Sequence, residues 1–369
     1  MRGAHRVAIW MGVVIALAAA ALMASPAAAA TFVYVGNAES NEIYVLQLSP
    51  QNGDLTVVDK TPIPGIEKPG ISTPMSVSPD RRILYVGTRG EPKIAAGFTI
   101  DQATGKLTFV SAGPLADSLA YIAVDRTGRY LLGASYPGHR VTVNPIEAPG
   151  KVGRPQQVLE NHPNAHSILA DAANRFVLVP TLGNDRVNQF AFDASTGKLT
   201  PTASPAAETR PKAGPRHLVY HPGGKLVYVN GETDGNVYVF DYNTATGDLK
   251  QKQVVSALPA GFTGKPSTAD MHITPDGKFL YVSERTSSTL AGFQVDGASG
   301  TLTPIGSVPT EKQPRGFAID PTGRYLVACG EKSETISVYA IDEASGALHL
   351  LRQYPGGKGA NWIEVVSTD

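Results

Sequence analysis

From Thr31 onward one unit recurs about every 50 residues, and an internal repeat of that length constrains the architecture more tightly than any other feature. Each unit opens on an apolar stretch, turns through a Pro/Asp/Gly cluster and enters a second apolar strand. The turn reads Ser78-Pro79-Asp80-Arg81-Arg82, Asp125-Arg126-Thr127-Gly128-Arg129, His221-Pro222-Gly223-Gly224-Lys225, Thr274-Pro275-Asp276-Gly277-Lys278 and Asp320-Pro321-Thr322-Gly323-Arg324. A degenerate copy is Asp171-Ala172-Ala173-Asn174-Arg175. A second signature, Gly-x-Leu, returns at Gly53/Leu55, Gly105/Leu107, Gly197/Leu199, Gly247/Leu249, Gly300/Leu302 and Gly346/Leu348. It marks a hairpin whose glycine supplies a positive φ.

Val, Ile, Tyr, Phe and Thr dominate the apolar runs, and almost nothing reads at helical period. Four short strands per unit predict an all-β fold, a seven-bladed β-propeller of four-stranded blades. Six units are complete. Residues 31–62 supply the later strands of a seventh, and Asn361-Trp362-Ile363-Glu364-Val365-Val366 supplies a strand without followers. Joining the two closes the ring through the C-terminal strand and removes an exposed edge.

Residues 1–30 stand apart from the repeats. Arg2, His5 and Arg6 precede an apolar, Ala-rich run from Val7 to Met23, and small residues fill Ser25 to Ala30. That order predicts a signal peptide over 1–30, a single propeller domain over 31–369, and a periplasmic or secreted product. No other stretch is long enough to span a bilayer, so no membrane contact is expected after cleavage. Lys plus Arg and Asp plus Glu are equal at 32 each, which leaves no electrostatic footprint for nucleic acid. Cys329 is the sole cysteine and reads as a small buried hydrophobe. With no Cys partner, no His-x-x-x-His cluster, no Asp-rich calcium loop and no Gly-rich phosphate loop, neither metal nor cofactor is expected. No Gly-x-Ser-x-Gly elbow is present either. A monomer is expected.

Propeller topology sorts the polar residues without coordinates. Inner-strand starts and second-strand ends share one mouth of the central channel, and the Pro/Asp/Gly turns face the other. The starts carry His166, Arg216, His217, Asp270, His272, Arg315 and Trp362. The ends carry Asn37, Arg89, Tyr136, Asp185, Glu232, Glu284, Arg285, Glu331 and Lys332. A wet channel lined by polar groups is ordinary in any propeller. Arg216, Glu232, His166 and Arg285 stand out because adjacent blades bring complementary chemistry together, as a concave ligand site requires. His221 reads as a turn residue, and His139 and His349 as solvated positions.

The segment Gly214-Pro215-Arg216-His217-Leu218-Val219-Tyr220-His221-Pro222, with Glu232 downstream, resembles the lactonase-type seven-bladed propellers. That family comprises the propeller 6-phosphogluconolactonases and the fungal carboxymuconate-lactonizing enzymes. Ala165-His166-Ser167, Gly133-Ala134-Ser135-Tyr136, Glu284-Arg285-Thr286, Gln313-Pro314-Arg315-Gly316-Phe317 and Trp362 are similar to it too. The resemblance implies a lactonase, a carboxylic-ester hydrolase acting on a sugar-acid lactone. Its catalytic residues fall on His166, Arg216, Glu232 and Arg285, with Tyr136, His217, His272 and Arg315 around the substrate. Glu232 or His166 would activate water, and Arg216 and Arg285 would bind the anion. Gly231 replaces an Asn that often precedes the Glu, and a phosphorylated lactone is a cytosolic compound, at odds with export. Two other readings remain: an exported, non-catalytic propeller that binds a small anion or a partner protein, and a muconate-type cycloisomerase.

Overall fold

The computed structural model describes residues 30–368. Residues 1–29 of the expected signal peptide lie outside the described residues. Seven antiparallel sheets follow one another around a central channel, and the described chain is otherwise turns and one short 3₁₀ segment. The inner strands are Met75–Val77, Leu119–Val124, Leu169–Ala170, Pro215–Tyr220, Thr268–Ile273, Gly316–Ile319 and Ala360–Ser367.

Closure occurs where the sequence places it. Ala360–Ser367 pairs antiparallel with Thr31–Asn37, from Thr31 opposite Ser367 to Asn37 opposite Ala360. The same strand fastens the neighbouring blade. Oδ1 of Asn361 accepts the amide N–H of Thr73 at 3.0 Å and the hydroxyl of Ser72 at 3.2 Å.

Six blades have four strands. The blade beginning at Leu119 has five, because its outer edge is split into Lys151–Val152 and Gln157–Leu159, both paired with Arg140–Ala148. Pro145, Pro149 and Pro155 explain the split, since proline supplies no ladder N–H.

The second strand of each blade carries most of the core. Ile83–Gly87 and Tyr130–Ser135 are buried at every position. Each core lies between blades: Phe32, Tyr34 and Ile43 of the closing blade pack against Leu84, Val86 and Phe98 of the next. Outer strands such as Leu348–Pro355 face solvent along most of their length.

The two sequence signatures have distinct jobs. In the Asp turns, Oδ1 of Asp125 accepts the amides of Arg129 and Tyr130, both at 2.8 Å. Asp320 repeats this with Arg324 at 2.8 Å and Tyr325 at 2.7 Å. The side chain thereby satisfies amides that the tight turn leaves unpaired. The Gly-x-Leu turns are docking points for the preceding blade. Tyr34 donates to the carbonyl of Gly105 at 2.9 Å, Tyr228 to Gly300 at 2.9 Å and Tyr281 to Gly346 at 2.8 Å. At Gly105, φ is +70°, and a Cβ would come within 2.4 Å of the Phe32 ring. Both facts require glycine there.

Deleting residues 360–368 uncovers the Thr31–Asn37 edge and removes the Asn361 contacts. Thermal unfolding should then fall by roughly 10 °C or more. A deletion variant that melts at the wild-type temperature would show that this strand does not close the ring.

Candidate active site

Strand register fixes which side chains meet. Pro215 lies opposite Gly231, Thr268 opposite Glu284 and Gly316 opposite Cys329. The residues following those second strands, Glu232, Arg285 and Glu331, therefore stand at the mouth where Arg216 and Arg315 enter the sheet.

Glu232 is the centre of the cluster. Its Oε2 lies 2.9 Å from Nε of Arg216, and its Oε1 lies 2.8 Å from Nη2 of Arg285. Both contacts are at ion-pair distance, so the carboxylate occupies Nε of Arg216 and Nη2 of Arg285. A backbone carbonyl holds one further nitrogen of each guanidinium. Arg216 donates from Nη1 to Ala269, and Arg285 from Nε to Ser267 at 3.1 Å. Arg315 pairs more loosely with Glu331 at 3.4 Å.

Arg216 is only 1% exposed. Burial, with Arg285 and Arg315 nearby, lowers its pKa to about 9, so it remains a cation at neutral pH. Burial pushes the Glu232 carboxyl up, but Arg216, Arg285 and Arg315 outweigh it and hold the group below its ordinary value. The carboxylate is therefore ionised. Arg89, a half-buried residue at the same mouth, donates from Nε to Ser118 at 3.2 Å. Burial and Arg315 bring it down to about 10.

His166 is buried, with Tyr136 edge-on at 5.6 Å between ring centroids and His217 at 5.2 Å. Burial and then Arg216 depress its pKa strongly, so the ring is neutral, and its Nδ1 has no hydrogen-bond partner. The structure thus brings His166, Arg216, Glu232, Arg285, Tyr136, His217 and Arg315 to one mouth.

His272 lies deeper. It pairs across the sheet with Tyr281, well below the rim set by Thr268 and Glu284. There it joins Asp270 and Trp362, which strand order placed in the channel, and Tyr121 and Glu364, which it did not single out. Asp270 accepts from Nδ1 of His217 at 2.9 Å and from Nε2 of His272 at 3.2 Å. Asp270 and His272 are two apart on one inner strand and so share its face, the one sequence signal for this pair. Trp362 donates to Glu364 at 2.9 Å, and Tyr121 packs edge-on against Trp362 at 5.1 Å. Burial raises the Glu364 carboxyl to about 7, against partial relief from Trp362 and His272.

The three histidines expected to lie outside the site divide. His221 accepts the Gly223 amide at 2.9 Å within its turn, and His139 accepts the Asn164 amide at 2.9 Å. His349 is exposed. Asn230, one position before Gly231, accepts the His217 amide at 2.8 Å and donates to Thr268 and Ala269, each at 3.0 Å. A cleft of about 660 Å³ between two blades at the opposite mouth is lined by Asp276, Arg324 and Glu343 but holds no comparable convergence of charge.

The sequence profile of the family described as "Lactonase, 7-bladed beta-propeller" matches residues 32–365. The chain belongs to that family. The 6-phosphogluconolactonase of Pectobacterium atrosepticum is 41% identical over 337 residues, covering 91% of this chain and 99% of the relative. That of Serratia proteamaculans is 41% identical over 335 residues, with coverages of 91% and 98%. The solved structure of the Pseudomonas aeruginosa periplasmic gluconolactonase superposes with a TM-score of 0.83 at 27% identity, covering 92% of this chain and all of that one.

Glu364 gives a test of the channel electrostatics. Its folded pKa of about 7 lies above the ordinary 4.5, so ionisation costs stability as pH rises between those values, with the full cost above pH 7. Glu364→Gln should therefore melt higher than wild type at pH 8, with the gain shrinking towards pH 5. Melting curves across that range check this, and a pH-independent difference would contradict it.

Proposed function

We propose that this protein is an exported lactonase that hydrolyses the lactone of a sugar acid at the arginine-rich mouth. One observation carries the reading: Arg216 and Arg285 converge on Glu232 from adjacent blades, which fixes two guanidiniums at one mouth. Donors fixed in that way suit a carbonyl oxygen that becomes an anion during hydrolysis, and they need no rearrangement as charge develops. The planar guanidinium also suits a substrate carboxylate or phosphate. Membership of the lactonase family and the names of the relatives support the same chemistry.

Water must be activated. Of the two groups the sequence offers, Glu232 directs both oxygens at arginines, which leaves neither facing a water. Its role is to orient the guanidiniums. His166 is neutral and has a free Nδ1, so it can hold the attacking water beside the arginines. Export rests on the order of residues 1–30 and fits the likeness to a periplasmic gluconolactonase.

The test is a panel of aldonolactones, with and without phosphate, together with muconolactones, each corrected for spontaneous hydrolysis. Arg216→Ala and Arg285→Ala should each lower turnover roughly a hundredfold or more. Asp276→Asn, at the opposite mouth, should leave the rate unchanged. Full activity in both arginine variants refutes this site. Absence of turnover on every lactone, with tight binding of an unrelated ligand, identifies a binding protein instead. N-terminal sequencing of the periplasmic protein should begin close to Thr31, and a product retaining Met1 in the membrane fraction contradicts export.

A further inference from the structure

We propose that Asp270 positions His217 as the proton acceptor of the hydrolysis, with His166 holding the water that His217 deprotonates. The inference rests on the hydrolytic reading and assigns its missing base. His217 is 3% exposed. A carboxylate cannot donate, so its contact with Asp270 at 2.9 Å places the proton on Nδ1 and leaves Nε2 with the lone pair. That Nε2 is buried and has no hydrogen-bond partner, as is Nδ1 of His166 on the ring beside it. The two ring centroids are 5.2 Å apart, which puts both nitrogens on the residues that would flank the water.

Asp270 is itself rigidly placed. Its amide donates to Ser283 at 2.9 Å, its Oδ1 also accepts the Met271 amide at 2.9 Å, and His272 takes its Oδ2 at 3.2 Å. Its Oδ2 also accepts the Phe317 amide at 3.3 Å, so the carboxylate touches three inner strands and meets His217 with the ring already turned. His166 lacks such a partner among the described residues. Burial and Arg216 lower the His217 ring to a pKa of about 4 against the pull of Asp270, so it is neutral in the resting protein. Arg216 and Arg315 are the cations acting on it, Asp270 is the anion, and the rings of Tyr121, Trp362 and His166 pack around it.

The step balances. Water oxygen bonds to the lactone carbonyl carbon as its proton moves to Nε2 of His217, and the carbonyl oxygen becomes an anion facing Arg216 and Arg285. The ring C–O bond then breaks, the departing alkoxide takes the proton back from Nε2, and the hydroxy acid leaves a neutral imidazole behind.

The experiment uses the mature protein and the lactone that wild type turns over fastest. His217→Ala should lose roughly a hundredfold or more in kcat, with the affinity for the product acid unchanged, and added imidazole should restore part of the rate. Asp270→Asn should lower kcat with little effect on KM and shift the acidic limb of the pH–rate profile. Nitrogen NMR of the histidines should show His217 protonated on Nδ1 in wild type and altered in Asp270→Asn, a readout independent of turnover. A His217→Ala variant with wild-type kcat, or a wild-type His217 protonated on Nε2, overturns the dyad while leaving the lactonase reading intact. A wild type inactive on every lactone overturns that reading and the base with it.

Discussion

A propeller exists only if its last sheet meets its first. Here that requirement falls on the pairing of Ala360–Ser367 with Thr31–Asn37. An open ring would present two unpaired strand edges and a half-made core. The pairing also brings Trp362 and Glu364 onto the channel wall beside Tyr121. The contact that seals the fold therefore completes the channel lining as well.

Electrostatics at the mouth work against stability. Arg216, Arg285 and Arg315 repel one another in a place where water is scarce, and the pKa of Arg216 is drawn down as a result. Glu232 offsets part of that repulsion by facing two guanidiniums at once. Such a cluster is a poor way to hold blades together, since apolar packing would do so at lower desolvation cost. It is a good way to present fixed positive charge to an anion. Aromatic rings and strand ladders surround it.

The fold was legible because its signals are local and repeated. Each Pro/Asp/Gly turn and each Gly-x-Leu hairpin announces a strand boundary, and the unmatched strand near Trp362 announces closure. The split outer edge at Lys151–Val152 and Gln157–Leu159 was missed, although the prolines beside it held the clue. Topology also grouped Arg216, Glu232 and Arg285, which meet in the structure, because strand starts and ends share a mouth whatever the side chains do. Depth along a strand was harder to read. His272 was grouped with the rim but lies below it, since a residue's height depends on where its strand begins, and that boundary is the least certain part of a sequence reading. Asp270 was visible as a channel residue, but its partnership with His217 comes from a neighbouring blade. No spacing within one strand encodes a contact between two.

The tyrosine contacts between blades bear on how such a ring can change over evolutionary time. Tyr228 reaches the turn of the blade that follows it, and in that blade Tyr281 reaches the turn of the next. The intervening unit therefore carries an acceptor for the neighbour behind and a donor for the neighbour ahead. Copying such a unit copies both halves of the joint. A duplicated or excised repeat would meet compatible partners on either side, whereas a break inside a unit would orphan one. The joint thus favours gain and loss of whole repeats over piecemeal insertion, and it leaves the rim loops free to diverge between blades.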